Sequence, residues 1–180
     1  MRHENMNVEK ELLGYIQNVK RANTEPLKSH LFLTLLERIF PGLNIGYIEN
    51  IFPDLEKFVS YKSKVIVSKG RIDSLLGNVI IEFESDPRKM RKIAENQIKK
   101  YISILWNNEL KELNKKTSYI AVITDGIEFY VYRPETIKQE EIREEDIELI
   151  LCEEFNIEKR KLEEIILWLD ITFLSRELGI

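Results

Sequence analysis

Two acidic side chains near the middle of the chain have a spacing that would let them act together. Asp73 lies in the apolar run Ile72–Leu76 and Glu82 lies in the apolar run Val79–Phe83, with Gly77-Asn78 between the runs. A two-residue loop with glycine in its first position is typical of the type II′ turn that closes an antiparallel hairpin. In that register Asp73 faces Glu82 across the hairpin, so the sequence predicts a pair of opposed carboxylates.

Opposed carboxylates need an explanation, because like charges directly across a strand pair repel each other. A divalent cation supplies one, since Mg²⁺ prefers hard oxygen ligands and is commonly held by one or two carboxylates. Strand alternation places Arg71 and Glu84 on the same face as the two acids, and it predicts an opposite face of Val79, Ile81 and Phe83. The alternative is a turn one residue longer, which would shift the register and leave both acids as ordinary solvent-facing residues.

Four short segments occur in the order found in a known nuclease superfamily. They are Gly70-Arg71-Ile72-Asp73, Ile80–Glu84, Gln97–Tyr101 and Ala121–Tyr132. Together they resemble the PD-(D/E)XK nuclease superfamily, in particular the branch found in restriction–modification enzymes, such as type I restriction subunits and the amino-terminal nuclease-like domains of DNA methylases. That branch carries a Gly-x-x-Asp strand, a Glu-x-Lys strand, a Gln-x-x-x-Tyr helix and a Thr-Asp/Asn-Gly turn before an aromatic strand. The resemblance covers the region from Leu31 to Pro134.

The resemblance implies a Mg²⁺- or Mn²⁺-dependent DNA endonuclease that hydrolyses phosphodiester bonds. It implies metal ligation by Asp73, Glu82 and the backbone carbonyl of Phe83, joined by Glu37 from the first core helix, although an ordinary surface glutamate is the alternative for Glu37. It also implies catalytic roles for Asp73, Glu82, Glu84 and Gln97. The implied contacts to the DNA backbone come from basic and polar side chains: Arg71, Arg88, Lys89, Arg91, Lys92, Gln97 and Tyr101. The implied partner is DNA, with a homodimer or a fused methyltransferase or helicase region left open.

One position departs from the pattern of the resembled family. Glu84 stands where the family has lysine, the residue that helps to orient the attacking water or to stabilise charge on the phosphate. Three replacements are open: Arg71 supplies the cation, Lys89 or Lys92 reaches in from the next helix, or Glu84 itself takes part in metal binding. The alternative is that Arg71 and Glu84 form a simple ion pair in a catalytically inactive, nucleic-acid-binding relative.

The distribution of charge is more informative than its total. The net charge of −4 is not typical of a nucleic-acid-binding domain. Basic residues nevertheless crowd residues 88–100, whereas residues 140–164 are strongly acidic. This asymmetry permits a local phosphate-binding face on an acidic protein. A solvated basic helix is the alternative.

The predicted fold is α/β, a restriction-endonuclease-like core with a central mixed sheet of about four strands flanked by helices. Two amphipathic helices are expected first, over Val8–Arg21 and from Pro26 to the stop at Pro41-Gly42. A long strand is expected to begin within residues 63–68 and to run through Gly70 to Asp73, ahead of the Val79–Phe83 strand.

The rest of the sheet is expected to follow a helix that crosses its face. Asp86 is the predicted N-cap and Pro87 the first residue of that helix. A stripe of Ile93, Gln97, Tyr101, Ile104 and Leu105 is expected to face the sheet, although Gln97 and Tyr101 also fit as boundary residues. Residues 107–116 are predicted to be a polar linker, and strands over 119–123 and 127–132 are expected around an Asp125-Gly126 turn, with Pro134 ending the second. Residues 147–151 are ambiguous.

A last amphipathic helix is expected after Asn156. Its apolar stripe is broad for a helix that ends soon afterwards, and it includes Leu162, Ile165, Leu169 and Phe173. One hypothesis is that the chain is the amino-terminal part of a longer polypeptide, or meets a partner here.

Length and composition fit one domain of an ordinary globular protein. The chain has 180 residues, of which 43% are hydrophobic and 32% charged. It has no apolar stretch of membrane-spanning length and no signal-peptide pattern at its start, so a cytoplasmic, non-membrane protein is expected. The single cysteine, Cys152, excludes an internal disulfide, and the isolated His3 and His30 give no zinc or Ser–His–Asp pattern.

Overall fold

The structure is a computed structural model that describes residues 2–40, 57–62 and 67–174. Its α-helices are α1 (Arg2–Arg21), α2 (Glu25–Ile39), α3 (Pro87–Leu113) and α4 (Leu162–Leu169). Its strands are β1 (Lys57–Lys62), β2 (Val67–Ile72), β3 (Ser74–Leu76), β4 (Val79–Phe83), β5 (Ile120–Thr124), β6 (Glu128–Glu135) and β7 (Glu148–Asn156). The expected helix stop at Pro41-Gly42 and residues 63–66 of the expected first strand lie outside the described residues.

The central sheet is mixed and has five strands, in the order β3-β4-β5-β6-β7. Strands β4 and β5 are parallel and are joined by the long crossover helix α3, while the other neighbours are antiparallel. The expectation of about four strands was therefore one short, because residues 148–156 form a complete edge strand. Strand β6 does not end at Pro134 as expected but continues through it to Glu135. The proline is tolerated because the pairing with β5 ends at Tyr132, so that Pro134 has a partner on one side only, Leu149 of β7.

Strands β1 and β2 form a separate antiparallel hairpin. The expected long first strand is thus two strands, and the break between β2 and β3 falls at Asp73. Helix α3 contacts both strands of this hairpin. The chain therefore changes sheets at the residue that the sequence singled out for chemistry.

Two apolar clusters cover the two faces of the central sheet. Helices α1, α2 and α4 pack on the face formed by Val79, Ile81 and Phe83. The ring centroids of Phe32 on α2 and Phe83 are 6.1 Å apart. Helix α3 packs on the other face, against Ile80 and its neighbours on β5 and β6. The predicted alternation of faces along β4 is confirmed, and the sheet lies between two helical layers.

Helix α3 is longer than expected, and its buried stripe is displaced. Residues 107–113, predicted as a linker, are helical, because the buried side chain of Asn107 bonds both the carbonyl and the amide of Ile142, at 2.7 and 2.9 Å. The helix ends at Asn114, which has a left-handed φ of 52°. Ile93 is 53% exposed and Gln97 is also exposed, so both were wrongly assigned to the stripe. The buried positions include Ala94, Ile98, Tyr101, Ile102 and Leu105.

The carboxyl-terminal helix packs on the chain's own sheet. The side chain of Asn156 caps a short 3₁₀ turn by accepting from the Glu158 amide at 3.0 Å, and α4 begins six residues later. Ile165, Leu169 and Phe173 are buried in the core that includes Phe32. Most of the broad apolar stripe is therefore covered without a partner.

Candidate metal centre

The tight turn between β3 and β4 fixes the register of the candidate site. Gly77 has a φ of 57°, the positive value that the first position of a type II′ turn requires. Leu76 pairs with Val79, Leu75 with Ile80, and Ser74 with Ile81. The two-residue turn and its register are therefore confirmed, and the alternative of a longer turn is excluded.

Asp73 lies immediately before this ladder and is held against β4. Its Oδ2 atom accepts a hydrogen bond of 3.0 Å from the backbone amide of Phe83, which fixes its carboxylate next to Glu82. The prediction that Arg71 lies opposite Glu84 was wrong. Strand β2 pairs with β1 and not with β4, and this pairing places Arg71 opposite Phe58. A strand that leaves the sheet at Asp73 cannot continue the pairing with β4.

Glu82 is a buried carboxyl group with an unsatisfied oxygen. The residue is 3% exposed, and its Oε1 atom has no hydrogen-bond partner in the part of the chain that the structure describes. Burial and the charge of Asp73, with smaller contributions from Glu84 and Glu25, raise its pKa to about 9, although a hydrogen bond from the Asp73 backbone opposes the rise. Glu82 is therefore neutral at pH 7 unless a cation neutralises its surroundings.

Glu84 is also buried, directly after the end of β4. Its backbone amide donates to the carbonyl of Thr124 at 2.8 Å, and its own carbonyl accepts from the Nζ atom of Lys28 at 3.1 Å. Burial raises the pKa of its side chain, as do the charges of Glu25 and Asp73, whereas Lys28 lowers it. Glu84, at the position where the resembled family has lysine, thus belongs to the same acidic group as Asp73 and Glu82.

The first turn of α2 contributes two residues that sequence reasoning missed. Glu25 is the first residue of the helix and acts electrostatically on both Glu82 and Glu84, while Lys28 is buried against Glu84. The expected α2 ligand, Glu37, lies twelve residues beyond Glu25, about 18 Å along a helix axis. The sequence did contain a signal for these two residues. Pro26 marks the start of a helix, and residues three apart, such as Glu25 and Lys28, lie on the same face of a helix.

A cavity of about 670 Å³ is lined by Glu25 and Lys28, the two α2 residues that act on Glu84. Ser85 and Asp125, which follow the parallel strands β4 and β5, line one wall. The first turn of α2 lines another wall with Glu25 and Lys28. The carboxyl ends of parallel strands are a common place for ligands in α/β folds.

The basic residues at the start of α3 already have acidic partners. Arg88 makes a two-pronged ion pair with Glu128, and its Nε atom donates at 2.8 Å. The Nζ atom of Lys89 lies 2.8 Å from Asp86, whose side chain caps the helix as predicted. Binding a phosphate here would require these side chains to exchange partners.

Further along α3, Arg91 is held more firmly. Its Nε atom donates to Glu95 at 3.2 Å, and its guanidinium lies 4.9 Å from the ring centre of Tyr130. Lys92 is exposed, as is Gln97, whereas Tyr101 is 5% exposed in the core between α3 and the sheet. The structure therefore does not bring Gln97 and Tyr101 together on one surface.

The segment Thr124-Asp125-Gly126 forms the expected hairpin turn and is built into the core. Gly126 has a φ of 92°, and its carbonyl accepts a 2.7 Å hydrogen bond from the hydroxyl of Tyr15 on α1. A Cβ atom at this glycine would lie 2.6 Å from the Cγ2 atom of Val19. The Asp125 carboxylate accepts from two amides of the turn at 2.8 Å. This motif therefore has a structural role.

The carboxylate oxygens of the site suit a hard cation, but the described part of the chain supplies few of them. Within residues 2–40, 57–62 and 67–174, no three His, Cys, Asp or Glu side chains are arranged to hold a metal ion. Asp73 and the unsatisfied Glu82 instead form a pair of oxygen donors, which is the number that Mg²⁺ commonly takes from a protein. Water and substrate oxygens would have to complete the coordination.

The chain matches no protein-family model, and no curated protein or solved structure is significantly similar to it. None of the helices in the described part of the chain is long and apolar enough to cross a membrane.

Proposed function

We propose that this chain is a Mg²⁺-dependent DNA endonuclease domain of the restriction–modification type, in which Asp73 and Glu82 hold the metal ion. The observation that carries the proposal is the buried, unsatisfied carboxyl of Glu82 beside the fixed carboxylate of Asp73. Burying the carboxylate of Glu82 beside the charge of Asp73 is costly in the absence of a cation. The two segments that carry Asp73 and Glu82, and that resemble the nuclease superfamily, support the assignment.

The ligand set follows from the arrangement around β4. Asp73 and Glu82 provide the carboxylates, and the carbonyl of Phe83 is the expected backbone ligand. Glu84 and Glu25 add negative charge close by and would orient metal-bound water. A bound Mg²⁺ or Mn²⁺ would lower the pKa of water and offset negative charge on the phosphate.

The reaction is the hydrolysis of a phosphodiester. The oxygen of water forms a bond to phosphorus, one P–O ester bond breaks, and the departing alkoxide takes up a proton from solvent water. Glu84 would accept the proton of the water, because burial and the charges of Glu25 and Asp73 raise the pKa of its carboxyl above the ordinary value. The hydrogen bond from the Phe83 amide keeps the Asp73 carboxylate oriented throughout.

The proposal is tested by a plasmid-nicking assay with Mg²⁺ or Mn²⁺, paired with calorimetric titration of the same metal. The wild-type chain should bind metal and nick DNA, and Asp73→Ala should lose both. Glu112→Gln, an exposed change on α3, serves as the matched control and should keep both. Failure of the wild type to nick DNA at any metal concentration would contradict the enzymatic proposal.

A second candidate function is a catalytically inactive nucleic-acid-binding module of the same fold. It is favoured by the two-carboxylate limit of the described site and by Glu84 at the family's lysine position. Such a module would bind DNA in a salt-dependent manner, and the binding would survive Asp73→Ala without any nicking.

A further inference from the structure

Lys28 is placed unusually for a lysine. It lies in the first turns of α2 and is only 7% exposed, although lysine is rarely buried unless it has a partner. Its Nζ atom donates to the backbone carbonyl of Glu84 at 3.1 Å. An ammonium has three donors, so this bond to a peptide carbonyl leaves capacity for another acceptor.

The position of Lys28 joins the acidic group to the cavity. Its charge acts on Glu84, the residue at the family's lysine position, and its side chain also lines the 670 Å³ cavity. Ser85 and Asp125 line the same cavity at the carboxyl ends of β4 and β5. A phosphate that enters this cavity would meet Lys28, whose ammonium lies against the Glu84 carbonyl at the end of β4.

The other cations considered for this role are less well placed. Arg71 lies in the separate hairpin, opposite Phe58. The side chain of Lys89 is 83% exposed and is paired with Asp86, and Lys92 is exposed on α3. In contrast to Lys89 and Lys92, Lys28 is buried and its ammonium contacts the end of β4.

We propose that Lys28 is a catalytic residue that presents its ammonium to the phosphate being cleaved, from α2 and in place of the lysine that β4 lacks. This inference rests on the proposed nuclease function. As the phosphorus–oxygen bonds change, negative charge grows on the non-bridging oxygens, and a positioned ammonium stabilises that charge. Lysine suits this position because its charge is compact and its donors can rotate between the Glu84 carbonyl and a phosphate oxygen.

The first test measures duplex DNA binding by fluorescence anisotropy in Ca²⁺ over a range of KCl concentrations, together with single-turnover nicking in Mg²⁺. Lys28→Met keeps most of the length of the side chain and removes its charge, and Lys111→Met on exposed α3 is the control. Loss of one phosphate contact should reduce the slope of log K against log salt by about 0.9. Nicking should fall by about 10²–10³-fold, while Lys111→Met changes neither quantity.

The outcomes separate the two proposals. If the wild type nicks DNA, and Lys28→Met has a nicking rate within threefold of the wild-type rate and an unchanged salt slope, the role of Lys28 is overturned and the nuclease proposal stands. A wild type that binds DNA without nicking would overturn the catalytic role together with the nuclease. A reduced slope in that case would assign Lys28 to phosphate binding alone.

A second measurement needs only the wild-type chain, and so is independent of the folding of any variant. Reductive methylation with formaldehyde is followed by mass spectrometry, with and without duplex DNA. Lys28 should react more slowly when DNA is bound, whereas Lys111 should be unchanged. Equal methylation of Lys28 in both samples would show that bound DNA does not cover the ammonium and would overturn the proposal.

Discussion

The buried carboxyl of Glu82 should make the stability of the protein depend on pH in a way that Glu82→Gln abolishes. Its folded-state pKa is about 9, against an ordinary value of 4.5. Between these two values the unfolded chain releases the proton while the folded chain keeps it. Rising pH therefore favours unfolding, and the loss of stability from this residue begins near pH 4.5 and levels off above pH 9.

The size of the effect follows from the shift. Each pKa unit corresponds to about 1.4 kcal/mol, so Glu82 should reduce the free energy of unfolding by about 4 kcal/mol between pH 5 and pH 8. The glutamine side chain does not titrate and has no such slope. Any cost of burying its amide is a constant offset that leaves the slope unaffected.

The assay is urea denaturation of wild type and Glu82→Gln at pH 5, 6, 7 and 8 without divalent cations. The difference in unfolding free energy, variant minus wild type, should rise by about 1.4 kcal/mol per pH unit. Glu112→Gln, at an exposed position, should follow the wild type. A difference that stays constant with pH would show that Glu82 ionises normally, and it would remove the electrostatic reason for placing a cation there.

Three further predictions concern the scaffold around the site, each measured by urea denaturation. Gly126→Ala should destabilise by about 2–3 kcal/mol, because φ is 92° and the new Cβ atom would meet Val19; a loss below about 0.5 kcal/mol would refute this. Asn107→Ala should cost about 2 kcal/mol, because it leaves the buried amide and carbonyl of Ile142 unpaired, and a neutral effect would contradict it. Phe32→Ala should cost about 3–5 kcal/mol, because its ring is fully buried among four aromatic neighbours; a cost near 1 kcal/mol would mean that the core refills the space.

Local residue chemistry was sufficient to predict the centre of the sheet. Glycine at the first turn position fixed a two-residue loop, and strand alternation then assigned the faces of β4 correctly. Asp86 and Pro87 marked the start of α3 for similar reasons, because the cap and the first helical turn involve neighbouring residues. Turns, strand faces and helix caps depend on residues that are close together in the chain, so they can be predicted from the sequence alone.

Features that depend on distant contacts were not predictable in the same way. The break at Asp73 arises because β2 pairs with β1, and the extension of α3 depends on Asn107 reaching Ile142, 35 residues away. Strand β7 has an exposed edge and a poor alternation pattern, so its sequence resembles a loop. Lys28 was missed because its partner, Glu84, lies 56 residues further along the chain.

The most direct test of the proposed metal site is calorimetric titration of Mg²⁺ at pH 7.5 in two buffers with different ionisation enthalpies. Because Glu82 is protonated at rest and must ionise to bind a cation, the wild type should release close to one proton for each ion bound. Glu82→Gln should bind weakly or not at all. Binding without proton release, or equal binding by Glu82→Gln, would contradict a metal ion held by Asp73 and Glu82.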